Sequence, residues 1–539
     1  MRRRTTASFS LWTLVYLLLP QGGRKASTST ASAVATPQSA GLVRSYAAPQ
    51  GRYLAAKPHP ALYAVYVLFT SYKYAVFVLI AFSLYYLAGR LSRGRQLQNL
   101  VLLSLSYVFY ALWDWRWCLL LAGVTASGFV GALLLGRIRA RRGLIVIAVL
   151  VLDLGALGAF KYFGFFADSF SALLESVGLH ADWVTLNLVL PVGISYYVFQ
   201  NLSYVIDVYR RELQPTRGVV EYATALSFFP QLLAGPITRP RDLLPQLSKR
   251  RAFDDARARD GLRQVLWGLT KKMLIADNIG VQVDYVWGNI SRLDGVSLVT
   301  AAVLYSIQIY CDFSGYADIA IGTAKLFNLR LSKNFEYPYF SVSVRMFWRR
   351  WHITLASWMR DYVYIPLGGS RVGAWRHASN VLVTFLLVGL WHGADWTFVV
   401  WGALHGSYLV AESRLRSRGS PTGDERWRPA AGVLAGLVTF ALVTFAWVFF
   451  RAPSLSAATA YIVQAATTPF GAGDFARFVP TLLLSAALLG YEWLTRGWEH
   501  GLAIAAVPLP ARWAAYLGLC MALLLFGFLG TNQGIYVQF

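Results

Sequence analysis

Cysteine is scarce in this chain: three in 539 residues, Cys118, Cys311 and Cys520, far apart and in apolar surroundings, with no C-x-x-C pair. That sets aside a disulfide framework and a thiolate metal site, and leaves each thiol as small apolar filler. Charge is scarce too. Asp, Glu, Lys and Arg make up 14% of the chain, where a soluble domain carries about 25%. Acidic residues are the rarer kind, 26 against 50 basic. No long polar domain interrupts the sequence and no internal repeat is visible, which disfavours an inverted-repeat transporter. The apolar runs do not alternate with period two, as strands of a membrane barrel would.

What remains is apolar: 56% of residues are hydrophobic and 15% aromatic. Runs that approach or reach spanning length recur, among them Tyr74–Gly89, Leu100–Trp113, Trp117–Gly136, Gly143–Phe160, Val296–Tyr310, Trp396–Val410, Ala430–Phe450 and Trp513–Gly530. Counting the shorter ones, they predict about 10–12 membrane helices, hence an all-α polytopic membrane protein. The net charge of +24 is then a topology signal rather than a nucleic-acid footprint. The basic clusters "RLSRGR" (Arg90–Arg95) and "RIRARR" (Arg137–Arg142) flank a hairpin whose other turn is the short "DWRW" (Asp114–Trp117), and Arg210–Arg217 and Arg239–Arg251 extend the same inner face. Residues 1–70 read as a separate N-terminal extension. "MRRR" precedes "LWTLVYLLLP", too short to span, and then a Ser/Thr/Ala-rich stretch. This is signal-like or disordered, with Ala33 and Ala35 as distant cleavage positions. Residues 71–539 form the membrane domain.

Seven histidines are present. His59, His180, His377 and His500 fall in loops and read as solvated. His392 lies in "LLVGLWHGADWTFVVWG" (Leu386–Gly402), between glycines that permit close approach and tryptophans that exclude water. A neutral imidazole there suits general-base work on a hydroxyl. A satisfied core histidine fits the spacing equally well. His405 follows by thirteen residues, roughly 220° round an ideal helix, so the two share no face, no i,i+4 metal pair exists, and no metal site is expected. His352 sits in "FWRRWHITLASWMRDYVYIPLGG" (Phe347–Gly369), which reads as an amphipathic re-entrant or interfacial helix. Arg345, Arg349, Arg350 and Arg360 could hold phosphates there, or could anchor the helix at the inner interface. Asp312 and Asp318 in "YCDFSGYADIAIG" (Tyr310–Gly322) lie six residues apart and face different ways, so paired-carboxylate catalysis is not suggested. "FFPQLLAGPITRPRDLLPQL" (Phe228–Leu247), with four prolines, reads as a broken segment that other helices must shield from lipid.

With "FKYFGFF" (Phe160–Phe166), "LPVGISYYVFQNLSYVIDVYR" (Leu190–Arg210) and "GLWHGADWTFVVWGALHG" (Gly389–Gly406), these blocks stand in one order. In that order the chain resembles the membrane-bound O-acyltransferase family, specifically its bacterial alginate O-acetyltransferase branch, from about Tyr74 to Phe539. The resemblance implies a ring of helices and re-entrant helices around a central funnel or tunnel. It implies that His392 is the essential histidine, with His352 its usual partner and His405 mainly structural. It implies no bound cofactor, a cytoplasmic thioester donor, acetyl-CoA, with the arginines toward its phosphates, and residence in the bacterial inner membrane. It also implies O-acetylation of an exported polysaccharide such as alginate, cellulose or peptidoglycan. An extracytoplasmic acetyltransferase and the polysaccharide synthesis and export machinery are the implied partners, with no role for nucleic acid. Related sequences often end in an aromatic hexapeptide whose tyrosine is proposed as an acyl relay. Here that is Tyr536 in "GIYVQF", although Val537 departs from the pattern and an interfacial anchor explains the tyrosine as well. Within the family the rival is a D-alanyl transferase for teichoic acid, and outside it a transporter or flippase.

Overall fold

The structure, a computed structural model, describes residues 69–91, 94–179, 189–233, 235–417, 429–468, 475–527 and 535. The proposed extension, residues 1–70, lies outside them but for its last two residues. Every regular element among the described residues is helical, as a chain that must satisfy its own backbone in lipid requires. Among the described residues, seven helices are long and apolar enough to cross a membrane. One of these elements, Arg95–Arg137, is two helices joined at a non-helical Asp114. The Cys118 thiol meets the carbonyl of Tyr107 at 3.7 Å, far closer than eleven residues of straight helix allow. The chain therefore reverses at the expected "DWRW" turn.

The first helices are α1 (Tyr72–Leu91), α2 (Arg95–Arg137), α3 (Arg142–Leu157) and α4 (Phe163–Ser176), the last two joined through a π-turn, Gly158–Tyr162. They are followed by α5 (Ile194–Tyr209), α6 (Val219–Ser227), α7 (Phe229–Leu232), α8 (Pro240–Leu247) and α9 (Asp255–Leu269). The stretch between α6 and α8 is the broken segment its prolines predict. Its described residues are buried, with Phe229 and Gln231 at 0% exposure. Its non-helical backbone is satisfied by side chains from elsewhere: Ser106 Oγ accepts from Phe229 N at 3.1 Å and Thr354 Oγ1 accepts from Ile237 N at 3.1 Å. This is how irregular backbone survives at membrane depth.

A π-turn, Thr270–Ala276, leads to α10 (Asp277–Trp287) and then to the long central helix α11 (Gly295–Leu326), 72% of whose most apolar window is buried. At the other extreme the last described helix, Leu509–Phe526, has no buried residue and turns Leu517, Met521 and Leu524 outward; such faces belong against lipid. α9 and α11 pack closely where Gly268 faces Gly315: a Cβ on Gly268 would lie 2.6 Å from the Gly315 carbonyl oxygen. Just beyond, two adjacent lysines divide the two aspartates of α11. Lys272 Nζ lies 2.7 Å from Asp312 and 2.5 Å from Asp277, while Lys271 Nζ lies 2.6 Å from Asp318. The six-residue spacing does point the aspartates apart, and each meets its own cation.

Substituting Gly268 with valine should force α9 off α11 and misalign both lysines. We expect Gly268→Val to destabilise the detergent-solubilised protein by about 1–3 kcal/mol, as overpacking does, read as a lowered melting temperature. Gly268→Ala should fall between it and wild type, and an unchanged melting temperature in both would contradict the contact.

Candidate active site

The arginine-rich stretch is not one helix. It breaks into α12 (Val344–Arg350) and α13 (Ile353–Met359), followed by a π-turn, Arg360–Tyr364. The break is at His352, whose φ of +42° is left-handed, a conformation costly for a side chain of this kind and sustained only by its surroundings. Asn334 supplies that support twice. Its backbone carbonyl accepts from Ile353 N at 2.9 Å. Its side-chain Oδ1 accepts from Thr354 N at 3.2 Å and from Thr354 Oγ1 at 2.9 Å. Because a backbone N–H can only donate, Oδ1 is fixed as the acceptor, and His352 Nδ1, 3.1 Å away, must donate to it. The neutral ring is thus the Nδ1–H tautomer, with its lone pair on Nε2.

His392 is the last residue of α14 (Ala374–His392) and is 1% exposed. The next helix, α15 (Trp396–Ser417), doubles back at once. The two can approach because Gly389 and Gly402 meet: a Cβ on Gly389 would lie 2.2 Å from the Phe398 carbonyl oxygen, and one on Gly402 would lie 2.3 Å from that of Phe385. His392 and His405 therefore lie on different helices, and the single-helix angle does not describe them. The His392 ring is walled by Trp391, Trp401 and Phe450, with centroids at 5.0, 5.1 and 5.2 Å, and the His352 centroid is 6.2 Å away. The fold thus brings together the two histidines paired by the sequence. His405 accepts from Trp348 Nε1 through Nδ1 at 3.2 Å and packs on Trp401, a structural placement.

The arginines do not share one arrangement. Arg345 faces Glu412, its backbone N–H donating at 3.0 Å; Arg350 donates to the Phe340 carbonyl at 3.4 Å; Arg360 pairs with Asp361 at 2.7 Å; Arg349 is exposed. Asp361 also draws in the buried Arg239 at 2.7 Å, a residue the motif reading left in the broken segment. His500, expected in solvent, is buried and meets Asp260 at 3.2 Å, beside the Lys325 ion pair; the chain folds this loop back onto α9. His377 is half-buried. His59, His180 and Tyr536 lie outside the described residues. A narrow cleft of about 40 Å³ is lined by Lys271, Asp318, Glu492 and His500, and reaches Asn334.

Sequence reasoning missed Asn334, whose one visible signal is a polar residue just ahead of "FEYPYF". It also passed over Lys161, a lone lysine inside an apolar run of the "FKYFGFF" block.

The sequence model of the MBOAT, membrane-bound O-acyltransferase family, matches residues 61–454. A probable alginate O-acetylase from Pseudomonas putida is 40% identical over 387 residues, 71% of this chain and 76% of the relative. A peptidoglycan O-acetyltransferase from Helicobacter pylori is 34% identical over 71% of this chain and 76% of its own length. A teichoic acid D-alanyltransferase from Bacillus subtilis is 24% identical over 49% of this chain and 69% of its own length.

Burial pushes the His352 imidazole down to about 3, so the folded protein keeps it neutral where an unfolded chain would protonate it. The associated stability is complete above about pH 6.5 and is lost as pH falls toward 3, at up to about 1.4 kcal/mol per pH unit. His352→Asn tolerates the left-handed backbone and does not titrate. Its melting temperature should fall less steeply than that of wild type between about pH 6.5 and 4.5; parallel slopes would show that His352 does not carry this dependence.

Proposed function

Because this chain belongs to the membrane-bound O-acyltransferase family, and is therefore a multi-pass membrane acyltransferase, we propose that it carries an acetyl group from acetyl-CoA on the cytoplasmic side across the bacterial inner membrane. The destination is O-acetylation of an exported polysaccharide. The acetyl group and the polymer class are those of the relatives named as alginate O-acetylase and peptidoglycan O-acetyltransferase. The observation that carries the chemical reading is the meeting of His392 and His352 inside an aromatic wall.

In this reading His392 accepts the proton of an acceptor hydroxyl as the oxygen attacks the thioester carbonyl. The new C–O bond forms, the C–S bond breaks, and the thiolate leaves with the proton that His392 held. The ring enters as the base because a neutral imidazole in a water-poor site is available to accept a proton. His352, held in one tautomer by Asn334, presents its Nε2 lone pair as the orienting partner. The indole N–H groups of Trp391 and Trp401 are buried and meet no acceptor among the described residues; donors of this kind suit the oxyanion that develops on the carbonyl. The exposed Arg345, Arg349 and Arg360 supply positive charge for the phosphates of the donor. An extracytoplasmic acetyltransferase would receive the acyl group on the far side.

The test is thiol release from acetyl-CoA by the purified protein with its acceptor partner, wild type and His392→Ala in the same detergent. Release should fall by about 10²–10⁴-fold in the variant, the usual worth of a positioned base, with elution and helical content unchanged. Equal release by both would end the proposed role of His392. Release from an aminoacyl carrier protein but not from acetyl-CoA would favour the D-alanyl reading.

A further inference from the structure

The carbonyls at the end of a helix have no partner within it, and α14 ends at His392 in a place walled by protein. The common solution, a glycine in the left-handed conformation, is not used: Gly393 is extended, with φ −158° and ψ 148°. Gly389 O still accepts from Gly393 N at 3.2 Å. The remaining three carbonyls are met from another element. Tyr162 Oη donates to Leu390 O at 2.8 Å, and Lys161 Nζ donates to Trp391 O at 2.5 Å and to His392 O at 3.3 Å. Lys161 Nζ also reaches Ser195 Oγ at 3.5 Å, tying the cap to α5.

Neighbouring residues on a regular helix point about 100° apart. Lys161 and Tyr162 nevertheless serve consecutive carbonyls of one helix end, and they do so from the π-turn Gly158–Tyr162. Such turns recur at functional sites. A lysine here is also an expensive choice for capping alone, since charge in an apolar run is costly and rare. Its compensations are the carbonyls and the negative end of the α14 dipole, which favours a cation.

We propose that Lys161 and Tyr162 are positioning residues for His392: a cap supplied from the π-turn that fixes the last turn of α14, and with it the place of the His392 ring against His352. The functional half of this inference rests on the acyl-transfer reading of His392. The structural half does not. The loss of one cap donor lets the final turn fray, and an error of about 1 Å at a reacting group costs about 10²-fold in rate.

Two measurements test it. In the thiol-release assay with donor varied, Lys161→Met should lower kcat by about 10- to 100-fold with KM within about twofold. Tyr162→Phe should lower kcat by a smaller factor, and Lys161→Arg, which keeps the charge, should recover part of the loss. Hydrogen exchange over residues 386–395 reports the cap without any turnover, and should speed up by about tenfold in Lys161→Met. Exchange at the wild-type rate overturns the cap. Faster exchange with wild-type kcat overturns the positioning role. A loss of activity that merely follows the amount of folded protein, with no recovery in Lys161→Arg, reduces the pair to scaffold. Faster exchange together with release that is indifferent to His392→Ala would instead overturn the acyl-transfer reading and, with it, the positioning role, while the cap itself stands.

Discussion

A bilayer offers no hydrogen bonds, so every turn that leaves helical geometry inside this protein must find its partners within the chain. That constraint organises the molecule. The backbone between α6 and α8 is held by Ser106 and Thr354. The left-handed turn at His352 is held by Asn334. The end of α14 is held by Lys161 and Tyr162. Two of these irregularities carry the histidines themselves, and the third is tied to the His352 turn where Ile237 N meets Thr354; each is answered by a side chain from another element. Helices alone would span a membrane; the breaks in them make room for chemistry, and the long-range hydrogen bonds make the breaks tolerable.

Charge obeys the same logic. The central helix α11 carries two aspartates into the interior, and the adjacent lysines of the Thr270–Ala276 π-turn neutralise them separately. Buried ion pairs of this kind add little net stability over apolar packing, but removing one partner is severe because it strands the other. Their value is register: Lys271 and Lys272 are satisfied only when α9 and α11 sit with Gly268 against Gly315. The pairing therefore fixes the scaffold on which Asn334 and the His352 turn are carried.

The histidines meet among buried aromatic rings. In the proposed acyl transfer, the aromatic wall around His392 would exclude the water that competes for a thioester. It also keeps the imidazoles neutral, since burial disfavours the charged form. A neutral ring is the state the proposed base role needs, and the same packing that excludes water would supply it.

Composition alone determined the class of this protein, because 14% charge and repeated apolar runs admit few solutions in lipid. Local patterns determined the reversal at Asp114 and the broken proline segment and made His392 a candidate, since turn chemistry and unusual polar residues are visible one at a time; the family resemblance singled out His392 and added His352 as its partner. Tertiary structure decided what depends on separation in space. It broke the arginine stretch at His352, because a left-handed turn there is stable only once Asn334 arrives from eighteen residues away. It buried His500 against Asp260, 240 residues distant. It gave Arg345, Arg350 and Arg360 different partners and left Arg349 exposed. It also recruited Lys161 to a helix end 230 residues further on. None of these follows from periodicity or spacing, because the free energy of each lies in a contact that exists only after the helices have packed.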